Sequence, residues 1–288
     1  MRRLLLVAAV LPLAACAAAP APLPAAPRAS GGAPGLVVHD GDTVEATGQV
    51  QVLPGRKPRF CAPAPVTAEG TAGGAPKRCD QGVDLDGFDA TKVGPDGRTL
   101  LRGTLRGGVL HVSIQAAGRP EPAETFDWQV PCPAPAGGWQ HGDRPDGNGL
   151  HELIYDEHPD WFRDLRVTYP DGEPSGSTEG PTPRTVFVVE IVTADRGAAE
   201  RAVRARYTGN VCIVVNPGAK SLADQQRDLE KVQAVAGPLM QDPASGVYML
   251  IGGDKVELQM VMLTPELDER LAAVRDLITA NPWLRPAA

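Results

Sequence analysis

His151-Glu152-Leu153-Ile154-Tyr155 comes closest to a catalytic signature in this sequence. A zinc-hydrolase helix carries His-Glu-x-x-His, because residues four apart set two imidazoles on one face with a carboxylate beside them. Tyr155 stands where the second imidazole belongs. His158 could share the face of His151 only if a helix ran on to Pro159, and a proline disfavours helix at the residue before it. The segment reads instead as a short amphipathic helix with a polar surface. Just upstream, Asp143, Asp146 and Asn148 sit among glycines. Hard oxygen ligands of this kind suit calcium, but the alternate-position ligands and distant Glu of an EF-hand are missing. With His151 they form a candidate cation site, set against the plainer reading of Asp-Gly and Asn-Gly as turns.

Two further arrangements come near a motif and miss it. Gly218-Ala219-Lys220-Ser221 follows a strand pattern and precedes a helix pattern. A phosphate-binding loop needs Gly-x-x-x-x-Gly-Lys-Ser/Thr so that successive amides wrap the phosphates, and here the first glycine is absent and Ala219 splits the second from the lysine. Ser221 reads most simply as a helix cap. No serine lies in a Gly-x-Ser-x-Gly turn; Ser175-Gly176-Ser177 lies in a Pro/Gly-rich loop, and His111 falls on the polar face of its strand. Trp128, Trp139, Trp161 and Phe162 could line a ligand groove or, more simply, pack the core. No residue is assigned a catalytic role, and no cofactor is expected.

Arg2 and Arg3, followed by apolar Leu4 to Leu13, read as a targeting signal over residues 1–15. The apolar run is about ten residues, half of what a membrane-spanning helix needs. Leu13-Ala14-Ala15-Cys16 resembles the lipobox of bacterial lipoproteins, which implies cleavage before Cys16 and a diacylglycerol on its thiol. Two acyl chains hold a protein stably at a membrane, so that membrane is the expected partner of Cys16 and the body is expected outside the cytoplasm. Residues 16–35 are nearly all Ala, Pro and Gly, a tether that at ~3.1 Å per residue reaches up to about 60 Å.

The formal net charge is −7, from 28 basic and 35 acidic residues. An acidic body without a Lys/Arg run cannot neutralise phosphates, so nucleic acid is excluded as a partner. Beyond Cys16 there are four cysteines, Cys61, Cys79, Cys132 and Cys212, an even number that in an oxidising compartment argues for two disulfides. Three pairings are possible. Cys61 with Cys79, closing a short Pro/Gly-rich loop, and Cys132 with Cys212, tying the second half to a central strand, is the favoured one. No Cys-x-x-Cys or clustered Cys/His spacing supports zinc.

From Thr43 the sequence alternates, with Val44, Ala46, Gly48, Val50 and Val52 on one face. Leu101, Gly103 and Leu105 alternate again, then Leu110, Val112 and Ile114 across Gly107-Gly108, a hairpin signal. Residues 36–130 are expected as a small β domain, for which a barrel resembling the OB architecture is one candidate. Strands are expected at 185–192 and 211–215 around a helix over 195–206, then a helix capped by Ser221 and Asp224 with Leu222, Leu229, Val232 and Ala236 inward. A hairpin, 248–251 with 256–263, leads to a helix capped by Thr264 that presents Leu267, Leu271, Val274 and Ile278. The strand-helix units near 185–207 and 256–278 suggest a weak internal repeat. The expected class is α+β, residues 131–288 forming an α/β sandwich with helices on one face of a mixed sheet, ferredoxin-like in outline.

Thr47-Gly48-Gln49-Val50, Cys61 and Cys79, Val130-Pro131-Cys132-Pro133 leading to Gly137-Gly138-Trp139, and the strand bearing Cys212 together resemble uncharacterised secreted proteins of actinobacteria. The resemblance implies fold and compartment and carries no activity. The leading expectation is a non-catalytic cell-envelope lipoprotein that binds or scaffolds another envelope protein or a cell-wall ligand. Its rivals are a cation-assisted hydrolase using Asp143, Asp146 and His151, and a solute-binding lipoprotein.

Overall fold

The computed structural model describes residues 35–62, 79, 81–93, 98–118, 128–140, 147–172 and 184–287. The signal, tether residues 16–34 with Cys16, Asp143, Asp146, Ser175 and Ser177 lie outside them. The chain is α+β.

The alternating segments build β1 (Thr43–Gln51), β2 (Arg59–Cys61), β3 (Gly82–Asp86), β4 (Arg98–Arg106) and β5 (Val109–Ala117). They pair in the order β2-β3-β5-β4-β1, and β1 pairs again with β2, closing a five-stranded barrel. Its interior holds Val44, Ala46, Phe60, Val83, Leu85, Leu101, Leu105 and Leu110. Gly107 and Gly108 both have positive φ, as a two-residue turn that matches strand twist requires. Gly103 leaves no room for a side chain, since a Cβ there would lie 2.0 Å from the His111 carbonyl oxygen.

Ile114 corrects the expected alternation, because it is 53% exposed. Arg102 pairs with Ile114 but Gly103 with Val112, so Ser113 is an extra residue in β5. A bulge shifts the side-chain parity by one, which turns Ile114 outward with Arg102.

The second region begins with α1 (Asn148–His151), which continues as a π-helical turn over Glu152–Glu157. Then come β6 (Phe162–Thr168), β7 (Val186–Ile191), α2 (Arg196–Arg206) and β8 (Val211–Val215). These strands form a three-stranded sheet in that order, β6 antiparallel and β8 parallel to β7. Every residue of β7 is buried, as expected of a central strand covered on both faces. Phe187, Val189 and Ile191 pack with Ala199 and Val203 of α2 and with Leu150, Leu153 and Ile154. On the other face Val186, Val188 and Cys212 pack with Val130, Cys132 and Trp139.

Helix α3 (Leu222–Gln241) starts on a capping box between Ser221 and Asp224 and buries Val232, Ala236 and Leu239. It packs on β9 (Val247–Ile251) and β10 (Val256–Met262). The last helix is shorter than its apolar spacing suggests. α4 (Pro265–Arg270) gives way to a 3-10 stretch, and Ile278 opens a strand, β11 (Ile278–Pro286). Ile278, Ala280, Pro282 and Leu284 are its inward residues, a period of two that shares Ile278 with the helical pattern before it.

β11 runs parallel to β10 and pairs antiparallel with the first part of β1, Val44 with Pro286 and Glu45 with Arg285. The other end of the same edge of β1, Gln49 to Gln51, pairs with β2. One nine-residue strand thus closes the barrel and extends it into β11, β10 and β9. This corrects the single mixed sheet expected over 131–288. Its strands divide between a separate three-stranded sheet and an eight-stranded sheet that begins in the barrel. The ferredoxin-like outline fails because the Ile278–Pro286 strand finds β1, not β6–β8, as its second neighbour.

Candidate functional site

The cysteines pair as Cys61 with Cys79 and Cys132 with Cys212, at Sγ–Sγ distances of 2.05 and 1.95 Å. The second bridge builds one wall of a cleft over β8. Cys132 holds one end of the 132–140 segment against β8. At the other end, the Gln140 amide donates to Asn210 Oδ1 at 3.0 Å, and Asn210 Nδ2 returns a bond to the Gln140 carbonyl at 2.8 Å. Asn210 Nδ2 also donates to the Thr185 carbonyl at 3.0 Å. Between these pins the segment turns at Gly137 and Gly138, both at positive φ.

The wall so fixed faces α2, which packs Ala199 and Val203 inward and turns Arg196, Glu200 and Arg204, one helical turn apart, toward the cleft. The space between encloses about 760 Å³ and is floored by Val211 and Ile213 of β8. Arg196 is taken up by an ion pair with Glu200. Arg204 donates to the Val211 carbonyl at 3.4 Å, and no carboxylate among the described residues reaches it. Tyr207 is 7% exposed, and its hydroxyl has no hydrogen-bond partner among the described residues. Burial raises the pKa of that phenol, so it remains a proton donor.

A second cavity of about 460 Å³ lies where Arg59, Gly82 and Gly108 of the barrel face Thr264, Glu266 and Arg270. Arg59 is engaged there, donating to Asp84 at 2.7 Å and to the Cys79 carbonyl at 3.1 Å.

Of the residues that first suggested chemistry, Asp143 and Asp146 lie outside the described residues, and the others stand as follows. Asn148 opens α1, and His151 is exposed with its ring 4.4 Å from that of Tyr155. Leu150, Leu153 and Ile154 form the buried face of that short helix. His158 stacks on Trp161 at 3.9 Å. Among the described residues no three His, Cys, Asp or Glu side chains are grouped so as to hold a metal ion. His111 contacts Asp86 at 3.0 Å on the exposed barrel surface. Trp128 packs on Tyr169, Phe162 is fully buried, and of the four aromatics only Trp139 lines the cleft.

Lys220 is committed to structure, donating to Asp228 and to the Asp254 carbonyl, each at 2.7 Å. Beside it Arg163 bridges the buried Glu190 at 2.8 Å and Asp254 at 2.7 Å, joining the three-stranded sheet to the β9–β10 turn. Its two carboxylate partners hold the guanidinium firmly protonated, Asp254 foremost.

The cleft residues Gln140, Arg204, Tyr207 and Asn210 are absent from the sequence-based candidates. Arg196, Glu200 and Arg204 carry a four-residue spacing that reads equally as a solvated helix face, and Tyr207 to Asn210 reads as a connection. Only the fold brings them to one place. No protein-family model, curated protein or solved structure matches the chain. No helix among the described residues is long and apolar enough to cross a membrane.

Proposed function

We propose that the protein is a cell-envelope lipoprotein, anchored by a diacylglyceryl group on Cys16, that works as a binding or scaffolding module for another envelope protein. The observation that carries this reading is the cleft over β8. Its wall is pinned at Cys132 and at Gln140, and a wall ordered in advance loses little entropy when a partner docks. Two disulfides agree with an oxidising compartment outside the cytoplasm. The barrel order β1-β2-β3-β5-β4-β1 resembles the OB architecture, a scaffold that hosts binding surfaces of many kinds.

The test is site-specific photo-crosslinking in native membranes, with the probe placed at Thr208 on the cleft rim and, separately, at Thr47 on the barrel. A discrete adduct from either position supports the module. The absence of any adduct from both removes it. Replacing Cys16 by serine should move the protein to the soluble fraction; retention at the membrane would remove the anchor.

A further inference from the structure

We propose that the open edge of β8 is a strand-addition site for an extended, acidic segment of a partner protein, an inference that rests on the binding reading above. Phe187 N–H donates to the Asn210 carbonyl and Asn216 N–H to the Ile191 carbonyl. Backbone groups alternate in direction along a strand. Residues 210, 212, 214 and 216 therefore turn toward β7, and Val211, Ile213 and Val215 turn away from it. None of those three N–H groups meets an acceptor among the described residues. Among the described residues the Val211 carbonyl has only the long contact from Arg204, and the Ile213 carbonyl lies 3.7 Å from Cys132 Sγ, which in a disulfide has no proton to give.

Among the described residues the edge is framed without being paired. α2 stands over one face of the sheet and the 132–140 segment over the other, and the cleft of about 760 Å³ lies between them. Val-Cys-Ile-Val-Val carries no charge, proline or bulge of the kind that blunts an exposed edge. An added strand would give its backbone to Val211, Ile213 and Val215, while alternate side chains entered the layers on either side. The acidic requirement comes from Arg204, a guanidinium that meets no carboxylate among the described residues.

The test selects decapeptides from a random phage-displayed library on the full chain, then follows amide hydrogen exchange with the selected peptides. Enriched peptides should carry Asp or Glu and slow exchange at Val211, Ile213 and Val215 about tenfold or more. Arg204→Ala, on an exposed position, should weaken them about tenfold. Methylating alternate backbone nitrogens of the peptide should abolish binding. Failure to enrich, protection at other amides, or methylated peptides that bind equally well would overturn the proposal. Protection of the three amides by raising protein concentration alone would overturn it too, because it would assign the edge to a second copy. A partner crosslinked only from Thr47 would leave the binding module standing and remove the edge.

Discussion

In the barrel each of β1 to β5 has hydrogen-bonded neighbours on both sides, whereas among the described residues β8 has β7 alone. Closure abolishes edges and with them the hazard of unplanned pairing. Among the described residues the three-stranded sheet keeps two edges, and it sets two fixed layers, α2 and the disulfide-held 132–140 segment, about the β8 edge. The contrast assigns different work to the two regions. The barrel closes on its own strands, and among the described residues the neighbouring sheet leaves the β8 edge for a strand from elsewhere.

The two disulfides give the largest measurable contrast. Cys132 and Cys212 are 80 residues apart and Cys61 and Cys79 are 18 apart. In the chain-entropy account the longer loop contributes about 4–5 kcal/mol and the shorter about 3 kcal/mol. Denaturant unfolding of the paired serine variants should show the larger loss for Cys132→Ser with Cys212→Ser. Peptide binding should vanish with that pair and survive the loss of the barrel bridge. Equal losses, or intact binding without Cys132, would mean that the bridge does not shape the cleft.

Next come the glycines. A Cβ at Gly103 would lie 2.0 Å from the His111 carbonyl oxygen, which the β4–β5 ladder holds in place. A Cβ at Gly209 would lie 2.5 Å from the Tyr207 hydroxyl, the far end of a side chain that can swing. Gly103→Ala should cost about 3 kcal/mol, and Gly209→Ala about 1 kcal/mol. The second change should still alter peptide affinity, because Tyr207 gives way into the cleft. A Gly209→Ala protein as unstable as Gly103→Ala would show that the cleft is as rigid as the barrel. Smaller again is Ser221→Ala, which removes the cap from α3 and should lower the unfolding free energy by about 1 kcal/mol.

How legible these regions were follows from how local their signals are. β1, β4 and β5 announce themselves through alternation and Gly107-Gly108, and α3 through the Ser221–Asp224 box, because each is set by neighbours in sequence. The three-residue β2 carries almost no pattern, and β11 hides behind Ile278, which fits a helical and a strand period alike. Its destination beside β1 depends on residues more than 230 positions away, and no local rule could supply that. The cleft is less legible still. His151 attracts attention by type, yet the side chains that line the cleft include an arginine, a tyrosine and two amides scattered from 140 to 210.

Acid provides the finest comparison. Asp228 accepts from Lys220 and Asp254 from Arg163, and these bonds hold both carboxyls below the usual carboxylate range. In the barrel Asp42 is lowered by the His39 amide and Asp89 by the Thr91 hydroxyl. A carboxyl whose folded pKa lies below its unfolded value adds stability that is complete above the unfolded pKa, near 4, and is lost as pH falls through the folded one. Asp228 has a side chain only 13% exposed, while Asp42 and Asp89 stand at 40%, where salt screens them. Asp228→Asn should therefore lower the unfolding midpoint at pH 7, and its curve should meet the wild-type curve as pH drops toward 2. The gap should persist in 0.5 M salt, about half a Debye length tighter than physiological buffer, whereas the corresponding gap for Asp89→Asn should close. Parallel curves for Asp228→Asn across the whole pH range would trace its effect to packing and detach the α3–β10 junction from any electrostatic account.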